Sequence, residues 1–340
     1  MDVLDIVSML NPYITFTLCA AVIIYCGIRL SKYGDLIAEK SGLGKAWLGL
    51  IMMSSVTSLP ELISGISAVT FVNAPNLAVG DVVGSCMFNL LILAMLDLFY
   101  REAPISSRVQ QSQVLAAGFS VIILAIVCGA LIFEKYIPTI GWISRISPAL
   151  IIVYLLSIRT IYLYENRKEA GPKAEEHGGE EISLKKAVGY YVLNALFVVI
   201  AAIFLPHAAE TIAEQTGLGQ TFVGTLLMAA STSLPEMVVS ISAIRIGSVD
   251  MAVGNLFGSN LFNILILALD DIFYTQRSIF SVSAAGNIIT VLAVICMTGV
   301  AVVGLIFRQE RKTWLMAWDT LSIAFIYIVS VVLLFLARDI

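Results

Sequence analysis

One block of sequence is written twice in this chain. MMSSVTSLPELISGISA (52–68) returns as LMAASTSLPEMVVSISA (227–243), and AVGDVVGSCMFNLLILAMLDLFY (78–100) returns as AVGNLFGSNLFNILILALDDIFY (252–274). The offset is 175 residues for the first pair and 174 for the second, so one residue has been gained or lost in the short turn between the two segments. Agreement over about 40 positions is not chance. A fold for this chain must therefore accommodate two similar halves, and a glutamate beside a proline inside an apolar segment of each.

Those segments belong to a membrane protein. Apolar runs of about 20 residues, the length that crosses a hydrocarbon core, recur along all 340 residues, and only 13% of the residues are charged against 59% hydrophobic. The short alternating strands of a membrane barrel are absent from the pattern, so the class is all-α. Ten spans are expected, near 12–30, 44–72, 77–98, 113–134, 141–164, 187–206, 218–245, 250–272, 283–307 and 315–337. The charged stretch ENRKEAGPKAEEHGGEEISLKK reads as a solvated linker. It separates a first five-helix repeat (1–164) from a second (187–340), with the linker itself at 165–186.

Of the 20 basic residues, all but Lys135, Arg145, Arg277 and Arg338 fall on one side when loops are numbered alternately. The positive-inside bias makes that side cytoplasmic and both termini extracytoplasmic. Five spans per half is an odd number, so the halves cross the membrane in opposite senses, as inverted repeats. The N-terminus MDVLDIVSML has neither a basic n-region nor a small-residue cleavage site, and no removable signal peptide is expected. The five cysteines all lie in apolar spans, make no C-x-x-C pair, and read as small buried hydrophobes.

The repeated spans have a chemical face. At helical spacing, Ser54, Thr57, Ser58, Glu61, Gly65 and Ala68 form one polar, small-residue stripe, matched by Ala229, Thr232, Ser233, Glu236, Ser240 and Ala243. Asp81, Ser85 and Asn89 share a face of the next span, matched by Asn255, Ser259 and Asn263. Gly80 with Gly84, and Gly254 with Gly258, make small-xxx-small pairs that admit a neighbouring backbone. Pro60 lacks an N–H, which frees the Val56 carbonyl and weakens the bond to Thr57; Pro235 does the same to Ser231 and Thr232. A bare carbonyl in lipid costs several kcal/mol by order of magnitude, a cost that a bound cation or water offsets. Carbonyls, hydroxyls and carboxylates make an all-oxygen set suited to Na⁺, Ca²⁺ or Mg²⁺.

A lone proline kink, or a lone Ser or Thr bonded back to its own helix, is ordinarily structural. A mid-span glutamate, which costs ~3 kcal/mol or more, is not, and here two stand in matched repeats. Asp81 begins its span and reads either as part of the site or as an interfacial cap. Asp97, Asp270 and Asp271 lie near span ends and read as solvated structural residues. His177 and His207 sit in or beside loops without a metal-ligand partner at the right spacing.

The paired signatures x-T-S-x-P-E and G-[ND]-x-x-G-S-x-x-x-N resemble the two α-repeats of the sodium/calcium exchanger family, within the cation/calcium antiporter superfamily. With no large insert between the halves, the chain is similar to the compact prokaryotic members. The resemblance implies alternating access, with Ca²⁺ and Na⁺ competing for one midplane cluster and no cofactor or enzymatic step. It implies Glu61 and Glu236 as central Ca²⁺ ligands, completed by the Thr57 and Thr232 carbonyls. Ser58, Ser85, Ser233 and Ser259 would line flanking Na⁺ sites, with Asn89, Asn263, Asp81, Ser54 and Ala229 around them. It also implies that spans one and six are the long pair that slides across the core, and that a monomer in the cell membrane suffices. Exchange of three Na⁺ for one Ca²⁺ would move one net charge, coupled to about 2.3 kcal/mol per 100 mV.

The chain departs from the family pattern at three positions. Asn263 stands where an Asp is usual, Ser54 where Ala is common, and Cys86 where its own repeat partner is Asn260. Asp81 is expected to replace electrostatically the acid missing at 263. The rival reading is H⁺-coupled exchange of Ca²⁺ or another divalent cation, with Glu61 and Glu236 carrying protons; the hydroxyl pair beside each Glu favours Na⁺. An intramembrane protease would need a G-x-G-D motif or a membrane Ser–His pair, which the sequence lacks. A passive channel would ordinarily draw its pore from several subunits, whereas here one chain supplies both halves.

Overall fold

A computed structural model describes residues 11–42, 44–71, 73–168, 182–215, 230–283, 285–312 and 315–336. The main helices are α1 (Pro12–Ser41), the broken pair α2 (Lys45–Thr57) and α3 (Leu59–Thr70), α4 (Pro75–Phe99), α5 (Gln111–Phe133), α6 (Ile146–Lys168), α7 (Leu184–Gln215), α8 (Leu234–Arg245), α9 (Val249–Phe273), α10 (Ala285–Phe307) and α11 (Trp318–Leu336). Among the described residues, eight helices are long and apolar enough to cross a membrane, and the bent pair α2–α3 makes a ninth. The protein is a multi-pass membrane protein. Of the expected span at 218–245, the part before residue 230 lies outside the described residues, as does His177. One two-stranded hairpin, Thr139–Ile140 with Ile143–Ser144, precedes α6.

Local chemistry sets the helix ends. Asn11 accepts the Tyr13 N–H at 3.0 Å and Pro12 follows at the first helical position, while Gly42 closes α1 with φ +72°. α1 and α7 run to 30 and 32 residues, well past the expected spans at 12–30 and 187–206, and they pack on each other. His207 consequently lies inside α7, exposed, its ring bonded back to the Ile203 carbonyl, and not in or beside a loop. α4 and α9 form the centre: 83% of the apolar window of α9 is buried, against 22% for α6 and α11, whose apolar faces are left for lipid.

Glycine explains how closely the central helices meet. A Cβ on Gly258 would stand 2.1 Å from the Leu50 carbonyl oxygen, and one on Gly254 2.8 Å from that of Ala46. Backbone thus touches backbone between α9 and α2, as the small-xxx-small pair predicts. The same stretch of α2 is wound as a π-helix over Leu48–Met53, which the sequence pattern did not indicate. For Gly80 and Gly84 no backbone contact is found among the described residues. Thr225, which matches Leu50 by the offset, lies outside them.

The two halves repeat their hydrogen bonds as well as their letters. The Asp97 carboxylate accepts the Ile105 N–H (2.9 Å), the Ala317 N–H (2.8 Å) and the Thr320 hydroxyl (3.0 Å), with Lys312 alongside. The Asp271 carboxylate accepts the Ile279 N–H (2.7 Å), the Ser144 N–H (2.8 Å) and the Ser147 hydroxyl (2.5 Å). The turn before α4 is closed by Ala74 N–H to the Ala68 carbonyl, and that before α9 by Ser248 N–H to the Ala243 carbonyl. The first loop is one residue longer, which locates the change of offset.

Asp97, Asp270 and Asp271 are all fully buried, so the solvated role expected for them is wrong. Asp97 and Asp271 hold span ends together from inside. Truncating Asp271 to Ala would strand three buried donors at about 1–3 kcal/mol each. The expected outcome is a clearly lowered melting temperature of the purified protein with Ca²⁺ affinity little changed, measured by thermal unfolding with and without Ca²⁺.

Candidate ion-binding site

The kink predicted from Pro60 is present. α2 and α3 meet at Ser58 (φ −93°, ψ 6°) with a bend of 40°. Ser233 takes nearly the same backbone conformation (φ −87°, ψ 7°) just before α8, with Pro235 in the first turn. Each break turns the following glutamate inward, and Glu61 and Glu236 are both fully buried.

The two halves meet at these residues. The Ser58 hydroxyl donates to Glu236 Oε1 at 3.0 Å, and Ser259 donates to the same oxygen at 3.4 Å. Thr57 Oγ1 lies 3.5 Å from Ser259 Oγ and 3.4 Å from Asn255 Oδ1. Glu61 is within coulombic reach of Glu236 and of Asp81. Thr57, Ser58, Ser85, Thr232, Ser233, Ser259 and Asn263 are completely buried, and Ser54 and Asn89 nearly so. Of the residues nominated from sequence, Ala229 lies outside the described residues. Ser54 turns its hydroxyl to its own helix, onto the Leu50 carbonyl at 2.5 Å.

The cluster is asymmetric. Glu236 Oε1 receives two hydroxyls, whereas both oxygens of Glu61 and the hydroxyls of Ser85 and Ser233 have no hydrogen-bond partner among the described residues. Among the same residues Glu236 Oε2 and both amide atoms of Asn263 are likewise unpartnered. Buried polar atoms are nearly always satisfied in folded proteins, so this concentration of free oxygen lone pairs marks a place built to receive something polar. The donors are carboxylate, hydroxyl and amide oxygens, the set that hard cations take.

Sequence reasoning placed Asn255 and Ser240 on the polar faces but nominated neither of them, nor Asn260, as a site residue, and these residues frame the cluster. Asn255 Nδ2 donates to Ser240 Oγ at 3.0 Å, and Asn89 Nδ2 donates to Asn260 Oδ1 at 3.1 Å. Cys86 faces the Asn260 carbonyl at 3.8 Å, so it is not merely a small core hydrophobe. Cys26 and Cys128 are buried as expected, but Cys19 is only half-buried and Cys296 is exposed on α10; all five are unpaired. The signal for Asn255 and Asn260 was available as polar residues at matched positions inside an apolar span.

Comparison with known proteins follows the same outline. The family described as sodium/calcium exchanger protein matches residues 11–163 and 186–336. The chain is 29% identical over 339 residues to sodium/calcium exchanger MaX1 of Methanosarcina acetivorans, covering 89% of this chain and 93% of that one. It is 25% identical over 258 residues to inner membrane protein YrbG of Escherichia coli, covering 72% and 74%. Among solved structures it is similar in fold to the sodium-calcium exchanger NCX_Mj, with a TM-score of 0.70 and 20% identity over 94% of this chain and 97% of that one.

Proposed function

Because this chain belongs to the sodium/calcium exchanger protein family, we propose that it is a secondary-active antiporter that exchanges Na⁺ for Ca²⁺ by alternating access. One observation carries the reading: a hydroxyl of the first half, Ser58, bonds the buried carboxylate of the second, Glu236, with Glu61 in coulombic reach. The cations bind where the halves join, so either half can be exposed in turn. Glu61 and Glu236 are the acids that balance Ca²⁺, with Thr57, Thr232, Ser58, Ser233, Ser85, Ser259, Asn89, Asn263, Asp81, Ser54 and Ala229 around them. The related MaX1 is named a sodium/calcium exchanger, which supports these two ions.

The halves are inverted five-helix repeats, 1–164 and 187–340, joined by a cytoplasmic linker at 165–186, with both termini extracytoplasmic. The family match stops at 163 and resumes at 186, in keeping with that division. Cys86 and Asn260 occupy equivalent positions of the two repeats and touch each other, as matched residues do only beside a two-fold axis. α1 and α7 pack together as the sliding pair, latched to the core by Ser31 donating to the Val239 carbonyl (2.8 Å) and by the Asp35–Lys45 ion pair (2.7 Å). One chain supplies both halves, so a monomer suffices.

Purified protein in liposomes should accumulate radiolabelled Ca²⁺ when loaded with Na⁺ and diluted into Na⁺-free buffer, and not when a pH gradient alone is imposed. Uptake driven by the pH gradient alone would establish the H⁺-coupled alternative instead. Asp81→Asn should raise the external Ca²⁺ concentration needed for half-maximal uptake about tenfold, a loss of ~1.4 kcal/mol. Unchanged affinity would remove Asp81 from the site and end its role as stand-in for the acid missing at 263.

A further inference from the structure

Asp270 is a buried acid that neither the span-end hydrogen bonds nor the central cluster uses. It follows Asn263 by seven residues, two turns along the same face of α9. It is fully buried, and among the described residues neither of its oxygens has a hydrogen-bond partner. Its carboxylate lies against Gly65, one turn beyond Glu61 on α3: a Cβ there would meet Oδ2 at 2.5 Å and Oδ1 at 2.8 Å. Only a residue without a side chain leaves that space open. Asp81 is within coulombic reach of Asp270 on one side and of Glu61 on the other. The Ser64 hydroxyl stands beside the Asp81 carboxyl, whose buried Oδ2 has no hydrogen-bond partner among the described residues. Among the described residues, no ion pair neutralises either carboxylate.

The matched place in the other half is built differently. Asn255 replaces Asp81, Ser240 replaces Gly65 and Leu96 replaces Asp270. There Asn255 donates to Ser240 at 3.0 Å, a neutral hydrogen-bonded pair. The acidic pair is therefore a feature of one end of the site and not a consequence of the repeat.

We propose that Asp81 and Asp270, with the Ser64 hydroxyl, form a second cation site for a hard divalent cation, about one turn beyond the Glu61–Glu236 cluster. Two carboxylates balance a double positive charge, and an all-oxygen set with no sulfur or imidazole selects Ca²⁺-like ions over soft metals. Burying a carboxylate without a counter-charge is expensive, and an ion held between the two removes that cost. The site's position rests on the exchanger reading. With the orientation proposed above, the start of α4 and the end of α9 face outward, so the pair lies between the extracytoplasmic solution and the central cluster, where an incoming divalent ion waits.

Equilibrium binding of radiolabelled Ca²⁺ to the purified protein in Na⁺-free buffer tests this. The wild-type chain should bind two Ca²⁺, and Asp270→Asn should bind one. Asp270→Leu, which installs the residue found at the matched position 96, should also bind one. Glu61→Gln should lose the other ion and keep the Asp270-dependent one. If both Asp270 variants bind as many ions as the wild type, the pair holds no divalent cation, as when the two carboxyls merely share a proton, and the proposal is overturned. If the Asp270 variants each lose one ion while Glu61→Gln loses none, the second site stands and the reading of the central cluster falls. A wild type that binds a single ion, lost in Glu61→Gln alone, refutes the second site and leaves exchange intact.

Discussion

Glu61→Gln is expected to abolish Na⁺-gradient-driven Ca²⁺ uptake, and Glu236→Gln to do the same. The side-chain volume hardly changes, so the effect isolates charge. A double positive charge in a dry cluster needs both carboxylates. Leaving it half-balanced costs about 3–5 kcal/mol, the scale of a buried pair broken by losing one partner. At ~1.4 kcal/mol per factor of ten, that is roughly a hundred- to several-thousandfold loss of Ca²⁺ affinity. Folding should move the other way. Among the described residues both Glu61 oxygens lack a hydrogen-bond partner, so replacing the acid by a neutral amide relieves an uncompensated buried group. The variant should melt at the wild-type temperature or slightly above it without Ca²⁺, and should lose the share of Ca²⁺ stabilisation that comes from the central site, about 2.7 kcal/mol for a ligand at a hundred times its Kd, while keeping any share from the ion at Asp270. Thermal unfolding across a Ca²⁺ series reads both effects. A variant that gains as much stability with Ca²⁺ as the wild type and still drives uptake would remove Glu61 from the site.

Gly258→Ala should produce the largest loss of stability from the addition of one methyl group. The new Cβ would stand 2.1 Å from the Leu50 carbonyl oxygen and 2.7 Å from both the Leu50 carbonyl carbon and Ser54 Oγ. Two of these three atoms are backbone, and backbone cannot swing aside as a flexible side chain can. α9 must therefore back away from α2, and overpacking of this kind costs about 1–3 kcal/mol or more. The displacement also separates Ser259, the next residue, from Thr57 and Glu236, so transport should fall together with the melting temperature. Gly129→Ala, on α5 with nothing within 4 Å of the added carbon among the described residues, is the control. Removing a mid-helix glycine there should leave stability unchanged or raise it by up to about 1 kcal/mol. Equal melting temperatures for the two variants would mean that the α2–α9 contact is looser than the structure has it.

The letters carried what repeats or recurs at helical spacing. The duplicated block, the polar stripe through Thr57, Ser58 and Glu61, the break at Pro60 and the close-packing glycines of α9 all depend on neighbours within a turn or two, and periodicity reports such neighbours. Family membership followed from the same letters. The pairing of Ser58 with Glu236 joins residues 178 apart. The duplicated motif pointed to a shared site, but not to which hydroxyl would reach which oxygen, or to Glu236 with one oxygen satisfied beside Glu61 with none satisfied among the described residues.

Asp270 and Asp271 give the sharpest contrast. Adjacent and identical in type, they were read alike as solvated span-end residues. Successive side chains on a helix point about 100° apart. One of these two carboxylates therefore enters a net of backbone and hydroxyl donors around Ile279, Ser144 and Ser147, and the other the bare space over Gly65. Sequence by itself determined the class of the protein, its doubled plan and the chemistry of its central face, because those are local and periodic properties. Tertiary structure alone decided which buried acids are spent on holding the fold and which are left free, because that depends on what the remote helices bring against each side.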